Sequence, residues 1–101
     1  MAELSGNTII QMIQSRQCDE YNEYYHPMVF VWKRGSEIIY IGGSKRGMKY
    51  IITQPLPVPE TILPSDTLEL IRCNPEDIGK IKKDLYLKHK VKYPDRKFVR
   101  E

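Results

Sequence analysis

A β-hairpin is the feature that most limits what this chain of 101 residues can fold into. Two runs rich in β-branched and aromatic residues, 28–32 and 37–41, flank a four-residue connection that contains glycine. Runs of this kind with a short glycine-containing connection are typical of two antiparallel strands. Gly42 and Gly43 follow the second run directly, so we expect the strand to end at these glycines and the chain to turn there.

Two helices are expected towards the ends of the chain. The apolar residues of 5–17 recur on one side, and Ser5 or Asn7 can serve as the N-cap. A second helix should begin at Asn74-Pro75 and continue to about Lys90, because Asn is a favoured cap and Pro is favoured at the first helical position. The buried stripe of this helix would consist of Ile78, Ile81 and Leu85.

The remaining segments complete a small α+β fold. Residues 67–73 predict another strand, and the β-branched content of residues 47–53 favours a strand there as well. Residues 54–64 contain four of the seven prolines and should form an extended loop. We therefore predict a single domain over residues 1–101, with a small antiparallel or mixed sheet of three to four strands between an N-terminal and a C-terminal helix.

Charge is distributed unevenly along the chain. Residues 1–78 carry 7 basic and 10 acidic side chains, whereas residues 79–101 carry 9 basic and 3 acidic side chains. A basic C-terminal block suits an anionic partner, which could be nucleic acid, a phosphorylated ligand or an acidic protein surface. A solvated lysine-rich helix face accounts for the same pattern equally well. The candidate contact residues in this block are Lys80, Lys83, Lys88 and Lys90.

Several classes of protein and site receive no support from the sequence. No apolar run approaches the roughly 20 residues of a membrane span, and the N-terminus lacks the pattern of a secretory signal. Cys18 and Cys73 form no CxxC pair, so we expect reduced thiols in an intracellular protein, cytoplasmic or nuclear, although one disulfide between them also fits. His26 and His89 are not spaced as metal ligands on a helix, which argues against a zinc site.

One short motif carries a family resemblance. Tyr40-Ile41-Gly42 matches the second tyrosine motif of the GIY-YIG nucleases, and the chain resembles that family in the order of its elements over residues 28–95. Ten residues before Tyr40, Phe30 stands where the family has its first tyrosine, so the ring is kept and the hydroxyl is absent. The resemblance implies a helix, rather than a strand, in residues 45–54.

The resemblance also implies a catalytic set for phosphodiester cleavage. Tyr40, Arg46 and Asp84 would form this set, and Asp84 would bind Mg²⁺ or Mn²⁺, which polarises the phosphate. Asp84 is one methylene shorter than the family glutamate, and Arg46 lies closer to the tyrosine than the family arginine does. Tyr40 could also be a plain strand-end aromatic residue. The expected phosphate-contacting residues are Ser44, Lys45, Arg46, Lys80, Lys83, Lys88 and Lys90.

Three hypotheses about function follow. The first is a nucleic-acid-binding GIY-YIG-like domain, with DNA favoured over RNA, that is a weak or inactive metal-dependent endonuclease. The second is a small protein-interaction module, an inhibitor or adaptor of viral or mobile-element origin, in which tyrosines provide the contacts. The third is an α+β domain in which the match at residues 40–42 is accidental. The tyrosines of the second hypothesis are Tyr21, Tyr24, Tyr25 and Tyr50. They could equally stack on unpaired bases, but the acidic residues near them in sequence favour a protein contact.

Overall fold

The computed structural model describes residues 2–15, 25–53, 56 and 58–93. Four strands form one antiparallel sheet with the order β1-β4-β2-β3, which confirms the predicted α+β fold and sheet size. In chain order the elements are β1 (Ala2–Ser5), α1 (Gly6–Ser15), β2 (Met28–Arg34), β3 (Glu37–Ser44), α2 (Met48–Thr53), β4 (Thr67–Arg72), a 3-10 turn (Pro75–Asp77) and α3 (Ile78–Lys88).

The central strand β2 is buried on both faces of the sheet. Alternation sends Phe30 and Trp32 to one face and Val29 and Val31 to the other, and all four side chains are buried. The first face is covered by α1 and α2, and we call it the α1/α2 face. The second is covered by α3, and we call it the α3 face. The core therefore consists of two layers, one on each side of the sheet.

The N-terminal helix begins where the sequence predicts. The Ser5 hydroxyl accepts the Thr8 N–H at 3.2 Å and therefore acts as the N-cap. The strand β1 that precedes it was not predicted, because four residues are too few to show an alternating pattern. The Gly6 N–H donates to the Asp66 carbonyl at 2.6 Å, and a Cβ at Gly6 would collide with the Leu63 carbonyl oxygen. Glycine is thus required where β1 passes into α1.

The predicted hairpin is confirmed, and it contains a β-bulge. The turn is tight, at Gly35-Ser36, with a φ of +63° at the glycine. Trp32 pairs with Tyr40 and the residue after Trp32 pairs with Ile38, so Ile39 is an extra residue in β3. As a result, Ile39 and Tyr40 both contribute to the core on the α1/α2 face.

The prediction that β3 ends at its two glycines is wrong. The strand continues to Ser44, and Gly42 and Gly43 pair with residues of β2 like any other strand residues. A Cβ on Gly42 would collide with the Phe30 ring, and a Cβ on Gly43 would collide with the Ile78 side chain of α3. These glycines therefore allow close packing on both faces of the sheet and do not turn the chain.

Residues 48–53 form the helix α2, as the family resemblance implies for this segment, and the strand that the β-branched content of residues 47–53 favoured is wrong. Met48 and Ile51, three residues apart, are both buried in the core of the α1/α2 face, and this spacing follows the helical period. Gly47 precedes the helix with a φ of +62°. Packing of this short apolar stripe outweighs the β-branched composition, as often happens with local preferences.

The C-terminal helix follows the prediction closely. Ile78, Ile81 and Leu85 are half-buried against the core of the α3 face, which confirms the predicted stripe. Asn74 has the extended backbone of a cap residue, with φ −77° and ψ 151°, but its side chain makes no capping hydrogen bond. The helix ends at Lys88, two residues earlier than expected.

The chain after α3 covers part of the outer edge of β3. Val91 forms a parallel bridge with Ile38, and the N–H groups of Lys92 and Tyr93 donate to the carbonyls of Ile38 and Ile39 at 2.9 and 3.1 Å. We call residues 91–93 the strap. It pairs with β3 at the bulge and thereby satisfies carbonyls that an edge strand would otherwise expose.

Candidate nucleic-acid interface

Tyr40 lies in β3 with its side chain on the α1/α2 face. Its ring centroid is 6.1 Å from that of Phe30, and the ring planes are inclined by 52°. The two rings that the resemblance would align with the family tyrosines are therefore neighbours on adjacent strands. Tyr40 is 9% exposed, so most of its surface belongs to the core. A phosphate contact by Tyr40 would have to be made at the β3 edge of the sheet.

Lys45 and Arg46 lie in the turn that joins β3 to α2. The buried Ser44 hydroxyl accepts the backbone N–H of Arg46 at 3.1 Å and closes this turn. The side chains of Lys45 and Arg46 are both exposed. Ser44, which we expected to contact phosphate, is thus placed to hold the turn from which the two cationic side chains project.

The outer surface of α3 is rich in lysine. Lys80, Lys83 and Lys88 are exposed, and so is Lys90 just after the helix. Leu87, which is 64% exposed, lies on the same surface. A shallow groove in this surface includes acidic as well as basic side chains. Its described lining residues are Asp77, Lys80, Ile81, Lys83, Asp84, Leu85 and Leu87.

Asp84 is an exposed residue of α3 that pairs with Lys88 one helical turn later. The two charged groups are 3.0 Å apart, and their side chains are 59% and 65% exposed. The described part of the chain contains no group of three or more His, Cys, Asp or Glu side chains that could hold a metal ion. Magnesium is usually bound by one or two carboxylates together with substrate phosphates and water. Asp84 alone would therefore supply the smallest usual number of carboxylate ligands.

The structure places Asp84 and Tyr40 on different sides of the sheet. Tyr40 belongs to the core of the α1/α2 face, whereas α3 covers the opposite face and directs Asp84 to solvent. The described residues therefore do not bring these two members of the predicted catalytic set together. The predicted binding of Mg²⁺ or Mn²⁺ at Asp84 stays a prediction, and no catalytic step is derived from it.

By contrast, α3 and the turn after β3 are brought close to each other. Ile78 packs directly against Gly43, and the Cδ atom of Lys82 lies 3.2 Å from the position of a Cβ on that glycine. Further along the helix, the Tyr86 hydroxyl donates to the Ile41 carbonyl at 2.6 Å. The first half of α3 is therefore fastened against the end of β3, two residues before Lys45.

A buried ion pair organises the opposite end of the sheet. Asp66 is 1% exposed and accepts hydrogen bonds from the Trp32 indole at 3.0 Å, from two nitrogens of Arg34 at 2.9 and 3.0 Å, and from the Leu63 N–H at 2.8 Å. Burial opposes ionisation, but these bonds, led by those of Arg34, lower the pKa of Asp66 below its ordinary value. The same bonds raise the pKa of Arg34 above its ordinary value.

This network includes one more carboxylate and one lysine of the strap. Glu60 Oε1 lies 3.3 Å from Arg34 Nη1 and 3.4 Å from Lys92 Nζ. The sequence analysis did not identify this set, because its members are far apart in sequence and follow no motif. Its charges are neutralised within the protein, so it is a structural network and not an anion-binding surface.

The structure describes two of the four tyrosines and one of the two cysteines considered in the sequence analysis. Tyr25 and Tyr50 are half-buried and pack against the core of the α1/α2 face, while Tyr21, Tyr24 and Cys18 lie outside the described residues. Cys73 is a free cysteine. Burial, together with the nearby Asp77 carboxylate, raises the pKa of its thiol, so the thiol is protonated at neutral pH.

A scan of known protein families, a search of curated proteins and a search of solved structures all return no match. Among the described residues, no helix is long and apolar enough to cross a membrane.

Proposed function

We propose that the protein binds nucleic acid as a GIY-YIG-like domain whose cleavage activity is weak or absent. The binding surface comprises Lys45 and Arg46 of the turn after β3 and the exposed lysines of α3. The observation that carries the proposal is the packing of Ile78 and Lys82 on Gly43. This contact joins two basic segments, distant in sequence, at one end of the sheet.

The charge balance of the surface supports a polyanionic partner. Residues 79–93 include six lysines and one acidic residue. Lysines that neutralise phosphates release condensed counterions, and this release drives binding that does not depend on sequence. Direct contacts of this kind orient a duplex without reading its bases. DNA is the proposed nucleic acid, and an intracellular location, which the free thiol of Cys73 suits, is part of the proposal.

The order of elements supports the proposed lineage. A hairpin, a helix, a strand and a second helix follow one another from β2 to α3, as the resemblance implies. The contact between the Phe30 and Tyr40 rings fits the same lineage. The absent hydroxyl at Phe30 and the pairing of Asp84 with Lys88 support weak cleavage, because losing a proton-transfer group costs on the order of 10²–10⁴ in rate.

Salt-dependent binding tests the proposal. The affinity for a labelled duplex should fall steeply as salt is raised from about 50 to 200 mM, with a log–log slope of about −0.9 for each neutralised phosphate. Absence of binding, or binding insensitive to salt, would overturn the proposal. An acidic protein surface would then become the leading alternative partner.

Cleavage is tested separately on plasmid and branched DNA with Mg²⁺ or Mn²⁺. We expect little or no product from the natural chain. Efficient turnover that Tyr40→Phe abolishes would contradict the proposed loss of activity and assign the protein as a nuclease. Turnover that Tyr40→Phe leaves unchanged would instead indicate a contaminating enzyme.

A further inference from the structure

The two edges of the sheet differ in how their main-chain groups are paired. Along the outer edge of β3, the strap bonds to the carbonyls of Ile38 and Ile39. β1 forms the other edge, and its register with β4 is regular over residues 2–5. Among the described residues, no other segment pairs with the outer side of β1. A regular, open edge offers its N–H and C=O groups to another strand.

The hydrogen-bond pattern shows which groups of β1 face outwards. The Gly6 N–H donates to the Asp66 carbonyl, so the pair that continues the β1–β4 register is a hydrogen-bonded one. Such pairs alternate along an antiparallel ladder with pairs that are not hydrogen-bonded. Leu4 therefore bonds to β4. The N–H and C=O of Glu3 and the N–H of Ser5 point away from β4, and both residues are exposed.

The surface next to this edge carries very little charge. Residues 2–15, which form β1 and α1, include a single charged side chain, that of Glu3, although 29% of the whole chain is charged. The exposed side chains of α1 are amides, a serine and Ile13, which is 37% exposed. Charged side chains are depleted at the centres of protein interfaces. A nucleic acid would meet no lysine or arginine here, so this surface suits a partner as uncharged as itself.

We propose that β1 pairs with β1 of a second copy and forms a symmetric dimer with one continuous sheet. The two-fold axis of such an antiparallel pair is perpendicular to the sheet, so equivalent faces lie on the same side. With the axis at Leu4, the Ser5 N–H of each copy donates to the Glu3 carbonyl of the partner subunit. The two Leu4 side chains then meet and extend the core of the α1/α2 face.

Charge selects this register over the neighbouring one. An axis at Glu3 would place two carboxylates directly opposite each other, and like charges in that position are destabilising. With the axis at Leu4, Glu3 lies opposite Ser5 of the partner subunit instead. The same axis brings the uncharged α1 helices of both copies to the same side of the sheet.

The dimer leaves the proposed nucleic-acid surface free. β1 and β3 are the opposite edges of the sheet, and the basic helix α3 packs on β3 and β2. Pairing through β1 therefore puts the two basic surfaces at the far ends of the assembly, where their like charges are separated and screened. The association is measured without nucleic acid, so it can be disproved while DNA binding holds, and the reverse is equally possible.

Sedimentation equilibrium of the full chain provides the first test. The mean mass should rise from that of a monomer towards twice that value over about two decades of protein concentration, because the dimer forms by mass action. A monomer at every concentration would overturn the proposal.

Two substitutions at Glu3 locate the interface. Glu3→Pro removes an N–H that β4 does not use and places a ring where the partner strand would lie, and proline is tolerated at such an edge position. Glu3→Ala is the matched control, because it removes the same carboxylate and keeps the N–H. We expect the association constant to fall at least about tenfold in Glu3→Pro and to change less than about threefold in Glu3→Ala. Undiminished dimerisation of folded Glu3→Pro would overturn the proposal.

Hydrogen exchange of the natural chain decides the outcome if Glu3→Pro fails to fold. The amides of Glu3 and Ser5 should exchange more slowly as the protein concentration rises, because the second copy covers them. The amide of Leu4 already bonds to β4 and should slow by a smaller factor, so it is the internal reference. Exchange of the two outward amides that does not depend on concentration would overturn the proposal.

Discussion

Asp66 shows how a single buried carboxylate connects segments that the sequence keeps far apart. Its side chain joins β2, through Trp32 and Arg34, to the loop before β4, through Leu63. Its own carbonyl accepts the N–H of Gly6 at the start of α1. A buried carboxylate is stable only when hydrogen bonds replace its lost hydration, and here four donors do so.

The first prediction concerns Asp66→Asn. The amide keeps the size of the side chain but turns one acceptor into an NH₂ group that faces N–H donors. We expect the free energy of unfolding in urea to fall by about 2–3 kcal/mol with an unchanged m-value. Glu69→Gln is the control, because it weakens a more exposed pair with Lys33 and should cost less than about 1 kcal/mol. Equal costs for the two variants would contradict the assignment.

The same carboxylate predicts a pH dependence. Because the pKa of Asp66 is lower in the folded chain, its ionisation adds stability that is fully present above the ordinary pKa of 3.8. This contribution is lost as the pH falls below 3.8 towards the lowered pKa of the folded state. The difference in unfolding free energy between the natural chain and Asp66→Asn should therefore be largest near neutral pH and shrink in acid.

At the scale of single residues, the sequence predicted which side chains cap or line a helix better than it predicted which side chains bond to each other. The caps and stripes of the helices depend on neighbours within a few residues, so Ser5, Ile81 and Leu85 could be placed correctly. Asp66 could not, since its donors come from positions more than 30 residues away as well as from its own loop. At Asn74 the predicted cap is only partly observed. Its backbone has the cap conformation, but its side chain makes no capping hydrogen bond.

At the scale of elements, the hairpin and the long helix were predictable from their local sequence patterns, and the two short elements, β1 and α2, were not. The hairpin shows its pattern within 17 residues, from Met28 to Ser44. In α2, two buried residues of a six-residue helix decide the conformation against the β-branched composition. β1 is a strand because it pairs with β4, which is distant from it in the sequence. Tertiary contacts decide such short segments.

The second prediction compares one substitution in a strand and in a helix. In β3, Gly42→Ala places a methyl group against the Phe30 ring and should destabilise the fold by about 1–3 kcal/mol. In α3, Gly79→Ala meets no atom within 4 Å and removes the low helix propensity of glycine, so it should stabilise the fold by up to about 1 kcal/mol. Urea unfolding measures both changes, and effects of the same sign would refute the assigned packing role of Gly42.

At the scale of the whole molecule, the charge asymmetry was visible in the sequence and the position of the basic helix was not. Lys80, Lys83 and Lys88 lie on the exposed side of α3, as their spacing from the apolar stripe predicts. That α3 approaches the turn at Lys45 depends on the close contact between Ile78 and Gly43, 35 residues apart. The same packing directs Asp84 away from Tyr40, which no local pattern could indicate.

The third prediction tests whether the two basic segments form one surface. If Arg46 and Lys83 each neutralise a phosphate of the same duplex, each change to alanine should reduce the magnitude of the log–log salt slope by about 0.9, and the double variant by about 1.8. Lys33→Ala is the matched control, because Lys33 pairs with Glu69 at the other end of the sheet, and its slope should equal that of the natural chain. Fluorescence anisotropy on a labelled duplex measures all five slopes, that of the natural chain included. A change confined to Lys83→Ala would show that α3 binds alone and that the turn after β3 faces solvent in the complex.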